Sequence, residues 1–319
     1  MNMPQPLTWN EQLELLKERG MFVKADDVQK LEHISYYRLK EFARPLATTH
    51  KENGQTIICY NGVSFSQVLT RYYQDKNLRI NLLHAIEKIE VSLKTKVSYI
   101  LGKHYGAFGY LNFSNWVNRN RYNRFEIEKK QYYFKRDLLD IISKSKNPEL
   151  HRQDNLSKDG FPSVWLGIDL LMFGDLVSLI ELMNSRILRE LAALYDFKVK
   201  ELLSWIKCLN FIRNLCAHNS NILDVKLKTA PVKRESWNEF LYIIRKGDSE
   251  RPTNRFAIVL LIVIEFVRKI NDSYRWNNIR SNLYAIRSSS DKNVQLLGFK
   301  DNNTSLNPDK IIDYLEKQD

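Results

Sequence analysis

The stretch VKELLSWIKCLNFIRNLCAHNS, residues 199–220, joins an apolar helical pattern to a cluster of polar side chains. Its apolar residues recur every three or four positions, which is the spacing of a helix that faces a protein core. They are Val199, Leu202, Leu203, Ile206 and Leu209. The stretch therefore predicts a core-facing helix that carries polar groups at its C-terminal end.

The polar groups are candidates for a functional site. Asn210, Asn214 and His218 are spaced four residues apart, so a helix places them on one face, with Arg213 at its edge and Asn219 just beyond. Polar side chains on a mostly apolar helix are costly unless they are paired or used.

These residue types suit RNA cleavage without a metal ion. In that reaction a ribose 2′-OH attacks its own phosphate, so a base must accept one proton and an acid must supply another. A histidine titrates near neutral pH and can act either way, which makes His218 the candidate acid or base. Arg213 can stabilise the transition-state charge, and Asn214 can hydrogen-bond the imidazole and fix its tautomer. One such set holds a single histidine, so a symmetric homodimer would complete the site.

The spacing of arginine and histidine decides little by itself. Arg79 and His84 have the same spacing, with four residues between them, and Arg44 and His50 have five residues between them. Only the 199–220 stretch combines helical apolar support with clustered polar groups. The alternative is that its arginine and histidine are a buried capping and hydrogen-bonding set at a helix end, and spacing alone leaves this open.

Helices are predicted along most of the chain, and the main ones share a three-to-four-residue apolar period. They cover residues 64–103, 118–146, 162–183, 198–218, 237–246 and 254–275. A strand-like segment between turn signals indicates a small β-hairpin near residues 55–62. On the first helix Glu87 and Glu90 lie beside the apolar stripe, and one of them could reach Arg213; a solvated surface pair is the more usual fate of such carboxylates.

The helix predicted at 118–146 begins with many basic and aromatic residues. Cations can neutralise phosphates while exposed tyrosines stack on unpaired bases, so this is a candidate RNA surface. The alternative, which can coexist with it, is that the aromatic rings face the core and the cations face water. The candidate RNA-binding residues are Arg119, Arg121, Arg124, Lys129, Lys130, Lys135 and Arg136.

Several segments occur in a family-like order along residues 13–220. They are LELLKERG (13–20), HISYYRL (33–39), FSQV (65–68), LRINLLHAIEKIE (78–90), PSVW (162–165) with LMFGDL (171–176), and RNLCAHN (213–219). Their order resembles the AbiD/AbiF group of abortive infection proteins, a branch of the HEPN superfamily.

The resemblance implies an all-α fold: a HEPN-like helical bundle with long central helices and extra N- and C-terminal helices. It implies a helical domain over residues 1–230. Residues 231–319 lie beyond the resemblance, and their own pattern predicts a helical extension that either completes the bundle or forms a small subdomain. The resemblance further implies dimerisation and RNA cleavage by Arg213 and His218, in phage defence or as a toxin. We count Asn214 with that pair as catalytic, and Asn210, Asn219, Glu87 and Glu90 as supporting residues. The alternative function is a non-catalytic RNA- or protein-binding sensor or scaffold, with the Arg/His cluster structural.

Charge and cysteine usage agree with an RNA partner in a reducing compartment. The chain has 49 Lys+Arg against 37 Asp+Glu and a formal charge of +12, which favours nucleic acid over a membrane surface. We expect RNA as substrate, a small RNA as a restraining partner, and no DNA, because no helix-turn-helix pattern stands out. Three dispersed cysteines and no zinc-type spacing predict no disulfide framework, metal or cofactor. The N-terminus lacks an apolar signal core, so we expect a cytoplasmic protein.

Overall fold

The described part of the molecule is dominated by helices. A computed structural model describes residues 5–52, 55–247, 249–289, 296–300 and 311. Within them lie eleven α-helices and two two-stranded sheets, which confirms the predicted all-α class. None of the helices in these ranges is both long enough and apolar enough to cross a membrane.

The N-terminal part forms a small helical unit with its own hydrophobic cluster. It contains α1 (Trp9–Glu18), α2 (Val28–His33) and α3 (Tyr36–Ala43). Helices α2 and α3 are separated at Ser35, whose hydroxyl oxygen accepts a hydrogen bond from the backbone N–H of Arg38 at 3.3 Å. Such an N-cap satisfies one of the free donors of the first helical turn.

The predicted β-hairpin is confirmed, but it begins earlier than expected. Strand β1 (Thr48–Glu52) pairs antiparallel with β2 (Gln55–Cys59), with Thr49 opposite Ile58. The strand-like segment of the sequence is therefore the second strand of the hairpin. Its partner was missed because a threonine- and charge-rich strand lacks the apolar alternation that marks a half-buried strand.

The central element is α4 (Phe65–Tyr105), a helix of 41 residues that extends about 60 Å. A capping box starts this helix: the Ser64 hydroxyl accepts from the backbone N–H of Gln67 at 3.2 Å, and the Gln67 amide oxygen accepts from the backbone N–H of Ser64 at 2.8 Å. The predicted apolar stripe is buried as well, at Leu78, Leu82, Ile86, Ile89 and Leu93. This stripe forms the centre of the main hydrophobic core.

The next helix, α5 (Arg124–Lys144), starts six residues later than predicted. Asparagine side chains hold the preceding segment in a turn: Asn118 Oδ1 accepts from the backbone N–H of Asn120 at 3.0 Å. Asn123 then forms a reciprocal capping box with Glu126. Asparagine competes with the helical backbone for hydrogen bonds, so it favours turns and caps over helix interiors.

Four helices then surround α4, where the sequence predicted two. They are α6 (Val164–Asp169), α7 (Phe173–Leu182), α8 (Ser185–Ala193) and α9 (Val199–Ala217). The helix predicted at 162–183 is broken because Met172 takes an extended conformation, with φ −69° and ψ 157°. The separate helix α8 was not predicted at all.

The C-terminal part contains a second small sheet and two helices. They are β3 (Ile243–Lys246), β4 (Ser249–Pro252), α10 (Phe256–Arg268) and α11 (Asn277–Ser289). The helix predicted at 237–246 is wrong, because a 3₁₀ turn and then β3 occupy this segment. Short apolar runs fit either period, so the pattern did not separate helix from strand. The helix predicted at 254–275 is α10, which ends earlier.

The C-terminal helices share the core of α4 and α9. Twelve of the thirteen residues of α10 are buried. Arg234 joins α9 to α10, because it donates to Glu201 at 2.9 Å and to Glu265 at 2.7 Å. The Trp205 and Trp237 rings stack beside it with centroids 5.4 Å apart. These contacts hold α9 between α4 and the C-terminal helices.

Candidate active site

Helix α9 ends in a motif that leaves His218 on the surface. His218 is the C-cap, and its side chain is exposed. The backbone N–H of Ser220 donates to the Leu215 carbonyl at 2.8 Å, and that of Asn219 donates to the Cys216 carbonyl at 3.3 Å. This is the Schellman arrangement, and Asn219 takes the left-handed conformation that it requires, with φ +59°. Hydrogen bonds therefore cap the end of the helix at the position of His218.

Arg213 lies five residues before the histidine, at the boundary between α9 and α4. Its side chain is 33% exposed, and its Nε lies 3.9 Å from Glu90 Oε2. Glu90 also pairs with Lys94 on α4, at 3.2 Å. The Arg213 guanidinium thus interacts with a carboxylate that it shares with Lys94, and part of it is accessible to solvent.

The two asparagines of the helix have different surroundings. Asn214 is exposed, and its Oδ1 accepts a long hydrogen bond of 3.5 Å from Arg213 Nη1. Within the described ranges the Asn214 amide makes no hydrogen bond to the His218 ring, in contrast to the tautomer-fixing contact expected from the sequence. Asn210 is half-buried next to Gly174, and its Oδ1 is buried without a hydrogen-bond partner in the same ranges.

The structure separates the two glutamates that the sequence left as alternatives. Glu90 faces Arg213, as described above. Glu87 is exposed and lines a different depression together with His84, Lys88 and Ile270. The helical positions of the two residues differ by less than one turn, but Glu90 faces α9 and Glu87 faces the segment that follows α10.

A buried ionic network fixes the segment that follows His218. Asp75 on α4 is completely buried; its Oδ1 accepts from the backbone N–H groups of Ile222 at 2.8 Å and Leu223 at 3.0 Å. Its Oδ2 accepts from Arg79 Nε at 2.7 Å, and Arg79 Nη1 donates to Asn219 Oδ1 at 2.8 Å. Asp75, Arg79, Asn219, Ile222 and Leu223 are called the Asp75 network below. It ties the left-handed residue next to His218 directly to the central helix.

Sequence reasoning missed this role of Arg79. The Arg79/His84 spacing looked like a chance copy of the Arg213/His218 pattern, and the structure separates the two side chains. Arg79 is buried in the Asp75 network, whereas His84 Nδ1 lies 3.1 Å from the Tyr274 hydroxyl. An aspartate four residues before an arginine was the available signal, since such pairs are neighbours on a helix.

A second ionic contact supports the same segment. Arg71 Nη2 donates to Asp224 Oδ1 at 2.7 Å, and Asn221 Nδ2 donates to Asp224 Oδ2 at 2.7 Å. Burial raises the pKa of the Asp75 carboxyl, while Arg79 and the two backbone N–H groups oppose that rise. Residues 219–224 are therefore held by charged groups of α4 over two turns of that helix.

The candidate active site lies in the part of the chain that matches a known protein family. Residues 29–224 match the family of Abi-like proteins, which is more than half of the chain. The chain belongs to this family. Its name refers to abortive infection, a form of defence against phage. Neither a curated protein nor a solved structure gives a significant match.

The matched range has a structural meaning in this Abi-like protein. It starts within α2 and ends at Asp224, the last residue of the segment held by α4. Arg213, His218 and the Asp75 network all lie inside it. Helices α10 and α11, which complete the core, lie outside it.

The candidate RNA surface on α5 of the Abi-like chain has both cations and exposed rings. Phe125, Tyr132 and Tyr133 are exposed, whereas Tyr122 and Phe134 pack against the core, so both alternatives of the sequence analysis hold in part. Two of the arginines are paired with carboxylates of the same helix, at 2.8 Å for Arg124–Glu128 and 2.6 Å for Arg136–Asp137. The other proposed cations are Arg119, Arg121 and Lys129, which are exposed, and Lys130 and Lys135, which are half-buried.

The buried thiols near the site are unsuited to nucleophilic chemistry. Burial raises the pKa of Cys208 to about 12 and the pKa of Cys216 to about 12, so both stay protonated near neutral pH. In the part of the chain that the structure describes, no three His, Cys, Asp or Glu side chains are grouped as metal ligands.

Proposed function

We propose that this Abi-like protein is a metal-independent endoribonuclease that acts in the cytoplasm in phage defence, or as a toxin. The observation that carries the proposal is the placement of the half-buried Arg213 and the exposed His218 at the end of α9, on a support built from buried charges. A solvent-facing imidazole and a permanent cation on the last turns of one helix are suited to phosphodiester chemistry. Family membership supplies the biological setting.

In the proposed reaction the ribose 2′-oxygen forms a bond to the adjacent phosphorus while the bond to the 5′-oxygen breaks. A base takes the proton of the 2′-hydroxyl, and an acid gives a proton to the 5′-oxygen. His218 performs one of these transfers, and Arg213 neutralises the charge that builds up on the phosphate oxygens. The products are a 2′,3′-cyclic phosphate and a free 5′-hydroxyl.

The reaction needs two proton-transfer groups, and each chain offers one such histidine at this site. A homodimer that brings two α9 ends together would supply both. The arrangement also accords with the resemblance to the HEPN superfamily. A toxic nuclease requires restraint, for which we propose a small RNA that binds the same basic protein.

One observation favours the alternative function, a non-catalytic RNA- or protein-binding sensor. Arg213 is oriented by Glu90 and Asn214, which are contacts that a purely structural arginine would also make. In that case the pair holds the fold or the dimer together, and RNA is bound without being cut.

The deciding experiment is cleavage of total and transfer RNA in EDTA by wild type, His218→Ala and Arg213→Ala. We expect EDTA-resistant cutting with 2′,3′-cyclic phosphate ends, reduced by about 10²-fold or more in each variant. His84→Ala is the matched control, because it removes the histidine of the other motif with the same spacing.

Each other outcome has a distinct meaning. No cutting by wild type, together with loss of the dimer in both variants, assigns a structural role to the pair. A silent wild type that stays dimeric, like its variants, directs attention to a missing trigger or to a restraining partner. Cutting that persists in His218→Ala would reject the proposed mechanism.

A further inference from the structure

A groove runs beside the middle of α9, between Ser204 and Phe211. One wall is formed by Lys207, Cys208 and Phe211 of α9, and the other by residues 227–231. Its volume is about 370 Å³, which is within the range of small-ligand sites. These residues define the α9 groove.

Both walls of the α9 groove are fixed in place. The backbone N–H of Val232 donates to the Ser204 hydroxyl at 2.9 Å, and Trp205 Nε1 donates to the Val232 carbonyl at 2.8 Å. At the other end Asn254 and Leu227 exchange two hydrogen bonds, of 2.9 and 2.7 Å. The groove is therefore preformed, which lowers the entropic cost of binding.

One face of α9 leads from the α9 groove to His218. Lys207, Phe211, Asn214 and His218 recur at intervals of four, three and four residues, so they form one stripe on the helix surface. Phe211 and His218 are seven positions apart, which corresponds to about 10 Å along a helix. A single RNA strand can reach both.

The side chains at the groove match the chemistry of a nucleotide. Phe211 is 45% exposed at the edge of the groove. Lys228 is exposed and forms no ion pair with another residue of the described ranges. Lys207 is held by Glu181 and is less available. The groove thus offers one open aromatic ring and one open cation.

We propose that the α9 groove binds a nucleotide of single-stranded RNA next to the cleaved phosphodiester, with its base on the Phe211 ring and its phosphate on Lys228. Aromatic rings bind unpaired bases of any sequence, and lysine binds phosphate as a point charge. The placement next to the cleaved bond rests on the proposed nuclease function. The binding itself does not, since it requires only the groove.

The test measures binding of a fluorescein-labelled single-stranded RNA of mixed sequence by fluorescence anisotropy. All variants carry His218→Ala, so that cleavage does not interfere. We expect Phe211→Ala and Phe211→Leu to weaken binding about 5- to 100-fold, because base stacking on an aromatic ring is lost. Phe211→Tyr keeps a ring and should bind like the parent. Lys228→Ala should weaken binding and reduce the slope of log Kd against log salt concentration by about one.

Two control variants match these changes elsewhere on the surface. Phe22→Ala removes a more exposed phenylalanine, in the N-terminal part and away from α5, and Lys226→Ala removes a cation from the same segment outside the groove. Neither should change binding as strongly. Equal effects of the control and the groove variants would reject the proposal, as would unchanged binding by Phe211→Ala or an absence of RNA binding by the parent protein.

Light scattering of the same variants tests whether the groove binds a second copy of the chain instead of RNA. If Phe211→Ala dissociates a dimer, the groove is an interface between copies, and the proposal is rejected. If the groove variants weaken RNA binding while the protein with His218 intact cuts no RNA, the groove remains an RNA site and the nuclease function fails. If that protein cuts RNA and the groove variants bind normally, only the groove proposal fails.

Discussion

The chemistry of the candidate site depends on how Arg213 divides its charge between the protein and RNA. Glu90 lies 3.9 Å from the guanidinium and also pairs with Lys94 at 3.2 Å. The Glu90 side chain is only 14% exposed, so water screens this interaction less than it screens a surface ion pair. Glu90 therefore both orients Arg213 and competes with a phosphate for it.

The first prediction concerns Glu90→Gln. Removing this carboxylate releases Arg213 for the phosphate, so we expect RNA to bind about 2- to 5-fold more tightly. The measurement is RNA affinity in the His218→Ala background. Glu87→Gln makes the same change in net charge on the same helix, but away from Arg213, and should change affinity less. Weaker binding by Glu90→Gln would show that orientation of the arginine outweighs competition.

At the scale of elements, the Asp75 network joins α4 to the end of α9. It connects residues 140 to 148 positions apart in the chain. A buried carboxylate with three hydrogen-bond donors around it is costly to disturb, because removing its charge leaves Arg79 without a counter-charge. The network is thus the contact through which the central helix sets the position of the segment after His218.

The second prediction is that Asp75→Asn destabilises the protein strongly. The amide keeps the shape of the side chain but loses the charge that faces Arg79, so we expect a loss of about 3–5 kcal/mol in the free energy of unfolding. Urea unfolding measures it. Asp137→Asn, which removes an exposed partner of Arg136 on α5, should leave the unfolding midpoint unchanged. Similar midpoints for the two variants would contradict a structural role for the network.

At the scale of the molecule, two hydrophobic clusters meet on α4. The N-terminal cluster includes Phe65 and Val68, and the main core begins at Leu78 on the same helix. The N-terminal part and the main core therefore both pack against the same long helix. In a homodimer built around α4 and α9, each copy would present one Arg213/His218 pair to the other.

The third prediction tests this dimer by mixing wild-type and His218→Ala chains in equal amounts and allowing the subunits to exchange. If a site needs both histidines, only dimers of two wild-type chains are active, and the rate per total protein falls to about a quarter of the wild-type value. Independent sites would retain about half. Mixing with His84→Ala should cause no loss.

The features that could be predicted are those that a single segment encodes. The stripe of α4, its Ser64/Gln67 cap and the helix ending in Arg213 and His218 follow from spacing along one helix. Where a segment was ambiguous, as at residues 237–246, the pattern failed because the same side chains satisfy a helix or a strand. The asparagine-rich turn at 118–123 is not separated from α5 by the sequence pattern, because its basic and aromatic residues continue into the helix.

The sequence by itself thus determined an all-α protein with an arginine and a histidine at the end of one core-facing helix. Only the tertiary structure decided that Glu90 rather than Glu87 faces Arg213, that Arg79 holds Asn219, and that residues 227–231 complete the α9 groove. The physical reason is that periodicity states which face of a helix is buried, but not which helix covers it or at what rotation. Those choices depend on packing between segments far apart in the chain.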